Sequence, residues 1–151
     1  MTFNKVVVVE AKRTPIGSFM GSLSGIPATL IGAKSIESAI KSISLKTNLI
    51  DEVYFGNVLQ AGVGQAPARQ SAIFAGISKK VPCTTINKVC SSGLKSISIA
   101  AQSIALGDNN IVVAGGMENM SMSPHYLNLR KGVKFGAVSY THLTLPTKVT
   151  V

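Results

Sequence analysis

The sequence has little that would bind nucleic acid or cross a membrane. It contains no Trp and only 5% aromatic residues, so no surface of base-stacking rings is predicted. Its 15 Lys and Arg residues outnumber its 6 Asp and Glu residues and give a formal net charge of +9. The basic residues are scattered along the chain, which is typical of a solubilising surface; an anionic, phosphorylated ligand is the alternative. No apolar run approaches the roughly 18–20 residues of a membrane span.

Cysteine is also scarce. Cys83 and Cys90 are the two in the chain, and their spacing suits neither a metal site nor a disulfide framework. We therefore expect no metal ion. Neither a secretory signal nor an Arg-rich transit segment is recognisable at the start of the sequence, which favours a reducing compartment, most simply the cytoplasm. Cys83 follows Pro82 at the start of an apolar strand, and we expect it to belong to the core.

The remaining composition and the apolar patterns predict an α/β fold. With 46% hydrophobic and 14% charged residues, the chain is long enough to bury one real core. Strands are predicted at 5–10, 53–59, 84–89 and 111–115, the first of them buried on both faces. Helices are predicted between them, so the order is βαβαβαβ with a mostly parallel sheet flanked by helices. Active sites in such sheets lie at the carboxyl ends of the strands.

The segment 84–94 reads as a short strand, a sharp turn that carries Cys90, and a helix that ends at Gly107. Apolar residues recur in this helix at helical spacing and are predicted to face the core: Leu94, Ile97, Ala101 and Ile104. Cys90 is therefore predicted to lie at or just before the N-terminus of a helix.

That position has chemical consequences for Cys90. The unpaired amide groups and the helix dipole favour the thiolate, which is the nucleophilic form of cysteine. The small residues Ser91, Ser92 and Gly93 leave room for a substrate carbonyl, and the same amides can hold an oxyanion. The alternative is that Cys90 is simply a small buried hydrophobic residue.

Four segments in order then resemble one family. They are Ile-Asn-Lys-Val-Cys-Ser-Ser-Gly-Leu-Lys at 86–95, Arg-Thr-Pro-Ile-Gly-Ser-Phe at 13–19, Gly-Asn-Val-Leu-Gln-Ala-Gly at 56–62 and Gly-Gly-Met-Glu-Asn-Met-Ser at 115–121. Together they resemble the thiolases, and the likeness extends from about residue 5 to 136. It is greatest to the acetyl-CoA acetyltransferase branch.

The resemblance implies an acyl transfer between coenzyme A thioesters. Cys90 would be the catalytic residue that attacks the thioester, and acyl-Cys90 would then react with a second acetyl-CoA to give acetoacetyl-CoA, or run in reverse as thiolysis. No covalently bound cofactor is implied, and the full-length protein would be a homodimer or homotetramer. A ketoacyl synthase-like condensing enzyme and a non-catalytic thiolase-like lipid carrier stay open as alternatives.

The resemblance also implies a division of the chain. Residues 1–118 would form the N-terminal thiolase α/β domain, and 119–136 would begin the loop domain that forms tetramers and covers coenzyme A. The tail 137–151 fits nothing expected of the family and resembles translated adapter sequence, so we expect it to be non-native. The family's Gly-His-Pro motif and second active-site cysteine are missing, and His125 does not match that motif. The 151-residue chain is therefore expected to be inactive and poorly soluble.

Other motifs have structural interpretations. The Gly-rich segment 62–69 is not a dinucleotide loop, because Pro67 stands where the third glycine belongs. In thiolases the similar segment packs against the partner subunit, and here Ala66 replaces a residue that is often Asn in the family. We expect Arg69 to be an interface or structural cation and Glu118 to be a structural carboxylate rather than a base.

Overall fold

Residues 3–126 are described by the computed structural model, and helices alternate with strands through most of them. The main elements are α1 (Ala28–Ser42), β1 (Glu52–Gly56), α2 (Pro67–Phe74), β2 (Cys83–Ile86), α3 (Ser92–Leu106) and β3 (Val112–Gly116). Two short 3₁₀ turns are added at Thr47–Leu49 and Met120–Met122.

The three strands form one parallel sheet in the order β2-β1-β3. The carboxyl-terminal residues of the three strands, Gly56, Ile86 and Gly116, pair across one edge of the sheet. Helices α1 and α2 pack against each other, and α3 packs against β1 and β3. The α/β fold with a parallel sheet flanked by helices is therefore confirmed.

The core lies between the central strand and the helices α1 and α2. Val53 and Phe55 of β1 are almost completely buried, with 0% and 2% of their surface exposed. They belong to one cluster with Ile36 and Ile40 of α1 and with Met117, which follows β3. Pro27 occupies the N-cap just before α1 begins.

The predicted first strand, at 5–10, is wrong. These residues belong to no strand or helix, and Val8 has 80% of its surface exposed. The segment is tied down at its start, where the Asn4 amide N–H donates to the Ala105 carbonyl at 3.0 Å. A β-branched run becomes a strand only when another backbone completes its hydrogen bonds, and no strand of residues 3–126 pairs with it.

The predicted core face of α3 is also wrong. Leu94 is 68% exposed and Ile97 is 47% exposed. The residues that α3 buries are small instead: Ser92, Ser96, Ala100 and Ser103. The reason lies in the sheet, because β1 and β3 end in glycines whose backbones the helix approaches at close range. A larger side chain on that face would hold the helix away from the strands.

Candidate active site

A cleft of about 760 Å³ lies at the carboxyl edge of the sheet. Its walls are formed by the loop 12–19, the segment 56–59 after β1, the turn 89–93 and the segment 116–121 after β3. Cys90 borders this cleft and its side chain is exposed. The alternative interpretation of Cys90, as a buried hydrophobic residue, does not agree with this position.

Cys90 lies directly before the N-terminus of α3. The helix begins at Ser92, and Ser91 occupies the N-cap position. Although serine is a common capping residue, the Ser91 side chain accepts no capping hydrogen bond. The Ser91 and Ser92 N–H groups donate to the Lys88 and Val89 carbonyls at 3.1 and 3.0 Å. The next amides of the first turn, those of Gly93 and Leu94, have no partner within the helix, so they supply the open donors and the partial positive charge at the start of α3. The predicted placement of Cys90 is confirmed.

The turn that carries Cys90 has an unusual backbone. Val89 has φ of +50°, in the left-handed region that β-branched residues rarely adopt. Two side chains bond the backbone around it. The Ser92 hydroxyl accepts from the Lys88 N–H at 2.8 Å and donates to the Val89 carbonyl at 2.6 Å. The Asn87 carboxamide oxygen accepts from the Val89 N–H at 3.0 Å.

Sequence reasoning did not find these two roles. Asn and Ser bond readily to backbone groups a few residues away and so compete with regular structure. An Asn three residues before a candidate nucleophile and a Ser two residues after it could have indicated a side-chain-supported turn. The left-handed conformation of Val89 could not be predicted from the sequence, because β-branched residues rarely adopt it.

Three glycines set the position of this turn against the sheet. A Cβ atom built on Gly56 would lie 2.6 Å from the Ser92 carbonyl carbon and 2.8 Å from the Gly93 nitrogen. A Cβ atom on Gly116 would lie 3.2 Å from the Gly93 Cα. The first turn of α3 is therefore seated directly on the ends of β1 and β3, which fixes where Cys90 enters the cleft.

Glu118 joins the segments that follow β1 and β3. Its carboxylate accepts hydrogen bonds from the Asn57 side-chain amide at 2.9 Å, the Val58 N–H at 2.8 Å and the Leu59 N–H at 3.3 Å. Asn57 is only 1% exposed. A carboxylate whose oxygens are already engaged by three donors holds a loop in place, as expected for a structural residue.

The other candidate residues do not border the cleft. Burial raises the pKa of the Cys83 thiol, and Cys83 packs against the core cluster as predicted. His125 is exposed and is not among the residues that border the cleft. Arg69 donates to the Lys79 carbonyl at 2.8 Å, a structural contact between the first turn of α2 and the segment that follows the helix.

The Gly-rich segment before α2 is not built like a dinucleotide loop. Ala66 adopts φ of +47° at the N-cap, and Pro67 opens the helix. The Ala68 N–H is bound at 3.0 Å by the Thr85 hydroxyl of β2. The N-terminus of α2 is therefore occupied by a side chain of the sheet.

None of the helices in the described part of the chain combines the length and the apolar character that a membrane crossing requires.

Comparison with known proteins gives one consistent result. Residues 6–151 match the family described as thiolase, N-terminal domain, and this match includes the tail 137–151. An acetyl-CoA acetyltransferase of Arabidopsis thaliana is 57% identical over 132 residues, which cover 87% of this chain and 33% of that protein. A cytosolic acetyl-CoA acetyltransferase of Gibberella zeae is 55% identical over 132 residues, with the same coverage.

A third relative extends the alignment further along the chain. The mitochondrial acetyl-CoA acetyltransferase of Bos taurus is 48% identical over 149 residues, which cover 99% of this chain and 35% of that protein. The chain thus spans about a third of the length of the curated relatives it matches. It belongs to the thiolase family and carries the family's N-terminal domain.

Proposed function

We propose that a protein containing this chain is an acyltransferase that condenses two molecules of acetyl-CoA to acetoacetyl-CoA, or catalyses the reverse thiolysis. One observation supports this most directly: Cys90 is exposed in a cleft at the head of α3, in a chain of the thiolase family. The curated relatives are named as acetyl-CoA acetyltransferases. The substrates would therefore be coenzyme A thioesters.

The proposed reaction has two covalent steps at Cys90. The thiolate attacks the thioester carbonyl, a new carbon–sulfur bond forms, and coenzyme A leaves as its thiolate. The carbanion of a second acetyl-CoA then attacks acyl-Cys90, which forms the carbon–carbon bond and releases the cysteine thiolate. Dividing one difficult step in this way lowers the barrier, and the open amides at the start of α3 can stabilise the oxyanion of each tetrahedral intermediate.

A general base is needed for the second step, and the described residues do not offer one. No His of residues 3–126 borders the cleft, and the Glu118 carboxylate is already bonded to three donors. Loss of a positioned base typically costs about 10²- to 10⁴-fold in rate. We therefore propose that the 151-residue chain alone has no measurable turnover, and that the base lies in a region corresponding to the rest of the relatives' length.

The test uses the complete enzyme that includes this segment. Incubated with radiolabelled acetyl-CoA and quenched in acid, it should carry the label on the Cys90 peptide. Cys90→Ala should remove both the label and turnover, whereas the matched variant Cys83→Ala should keep both. Full turnover by Cys90→Ala would overturn the proposal. An enzyme that needs an acyl carrier protein would favour the condensing-enzyme alternative, and absence of any acyl-enzyme would favour the lipid carrier.

Domain limits, assembly and compartment are further parts of the proposal. We propose an α/β domain at 1–118, the start of a loop domain at 119–136, a non-native tail at 137–151, a homodimeric or homotetrameric full-length protein and a cytoplasmic location. The names of the relatives divide between cytosolic and mitochondrial. An encoded exon that matches the tail would contradict its non-native origin. A monomer by light scattering would contradict the proposed assembly, and mitochondrial fluorescence of a tagged full-length protein would contradict the cytoplasmic location.

A further inference from the structure

The Ser92 hydroxyl bridges the two sides of the strained residue before Cys90. It accepts from the Lys88 N–H at 2.8 Å and donates to the Val89 carbonyl at 2.6 Å. Ser92 is 4% exposed, so water does not readily replace it in these bonds. Because a hydroxyl has one proton to donate and lone pairs to accept, both bonds form at once.

Two backbone hydrogen bonds also close the turn around Val89, from the Ser91 N–H to the Lys88 carbonyl at 3.1 Å and from the Ser92 N–H to the Val89 carbonyl at 3.0 Å, and the Ser92 hydroxyl adds two more. The φ of +50° at Val89 places a β-branched side chain in the left-handed region, where an isolated residue is populated about tenfold less than in the right-handed one. A strained backbone of this kind persists only where its surroundings over-determine it. The Ser92 hydroxyl bonds the Lys88 N–H before Val89 and the Val89 carbonyl after it, whereas the Asn87 side chain bonds only the Val89 N–H.

The conformation of Val89 decides where the next residue lies. Rotation of Val89 to a negative φ would carry Cys90 away from its present place before the N-cap, while α3 itself stays seated on Gly56 and Gly116. The thiol would then leave its exposed position on the cleft, directly before the N-terminus of α3.

We propose that Ser92 is a positioning residue for the nucleophile: its hydroxyl holds Val89 in the left-handed conformation and so keeps the Cys90 thiol at the head of α3. This inference deepens the proposed function and rests on it, because the placement of Cys90 matters for turnover only if Cys90 carries the acyl group.

The test measures thiol reactivity rather than turnover. The complete enzyme that includes this segment is alkylated with iodoacetamide under native conditions, and mass spectrometry of the two peptides that contain Cys90 and Cys83 gives the Cys90 rate relative to the Cys83 rate. Ser92→Ala removes both hydrogen bonds of the hydroxyl, and because a single bond is typically worth up to about a tenfold factor, the ratio should fall by about tenfold or more. Ser103→Ala, a buried serine of the same helix, should leave the ratio unchanged.

A second-site rescue separates positioning from simple loss of packing. Glycine adopts a positive φ without strain, so Val89→Gly removes the need for the Ser92 hydroxyl. The double variant Val89→Gly/Ser92→Ala should recover the Cys90 rate to within about threefold of the parent chain. A rate in Ser92→Ala equal to that of the parent chain, or a double variant as slow as Ser92→Ala, would overturn the inference.

The outcome remains decisive if Ser92→Ala does not fold. Circular dichroism of the double variant then decides: recovered folding supports the inference, and continued unfolding shows that Ser92 serves packing alone. The alkylation result is also independent of the acyl-labelling test. If Cys90 is labelled normally and Ser92→Ala leaves the alkylation rate unchanged, only the role of Ser92 is refuted. If Ser92→Ala lowers the alkylation rate but Cys90 carries no acyl label, only the acyl transfer is refuted.

Discussion

Replacing Gly56 with Ala tests how closely α3 is seated on β1. The new Cβ atom would lie 2.6 Å from the Ser92 carbonyl carbon and 2.8 Å from the Gly93 nitrogen. Carbon atoms in contact prefer separations of about 3.5–4.0 Å, so α3 and β1 would have to separate by about 1 Å. Both obstructing atoms belong to the backbone of the first helical turn, and no rotation of a side chain can move them aside.

The expected cost follows from that geometry. Overpacking a close-packed interior typically costs about 1–3 kcal/mol, and Gly56→Ala should reach the upper end because the backbone itself must shift. Part of this shift displaces the turn before α3. We therefore expect Gly56→Ala to lower the free energy of unfolding by about 3 kcal/mol and to change the alkylation rate of Cys90 as well.

Urea unfolding followed by far-UV circular dichroism measures this cost, and Gly25→Ala provides the matched control. Nothing lies within 4 Å of a Cβ atom at Gly25, and its backbone is outside the left-handed region. An alanine there should be neutral or should stabilise the fold by up to about 1 kcal/mol through the unfolded state. Equal unfolding free energies for Gly56→Ala and Gly25→Ala would refute the close seating of α3 on β1.

Two further substitutions test the neighbouring contacts. Glu118→Ala should lower the free energy of unfolding by about 2–4 kcal/mol, because it leaves the Val58 and Leu59 N–H groups without their acceptor and leaves the buried Asn57 amide with only a long bond to the Met117 carbonyl, at 3.4 Å. Glu118→Gln keeps one acceptor oxygen and should lose less. A urea midpoint unchanged in both variants would contradict the structural role. Ala66→Asn should raise the melting temperature, because Asn tolerates the left-handed conformation found there better than Ala by up to about 1 kcal/mol; a lower melting temperature would contradict this.

Much of the local structure could be predicted from the residues themselves. Gly107, which was expected to end α3, does so with φ of +87°. The alternation of strand and helix patterns predicted a parallel sheet, and hence a site at its carboxyl edge. The position of Cys90 just before α3 followed from the same local signals.

What periodicity could not decide was which side of a helix or strand meets a partner. Leu94 and Ile97 do share one face of α3, as their spacing indicates, but the sheet requires the small face that carries Ser96. Similarly, the valine run at 5–10 has the composition of a buried strand, yet none of the described strands pairs with it. The composition of a segment indicates how strongly it prefers to be buried, but a strand also needs a neighbouring backbone to complete its hydrogen bonds.

By itself the sequence determined the order of the elements from α1 to β3, the end of α3 at Gly107 and the placement of Cys90 at a helix start, because caps, turns and apolar spacing act over a few residues. Only the tertiary structure decided that α3 is seated on Gly56 and Gly116, that Glu118 binds the loop after β1, and that Val89 is held in a left-handed conformation. These features depend on backbones brought to within a few ångströms from distant parts of the chain, and no local pattern encodes such a distance.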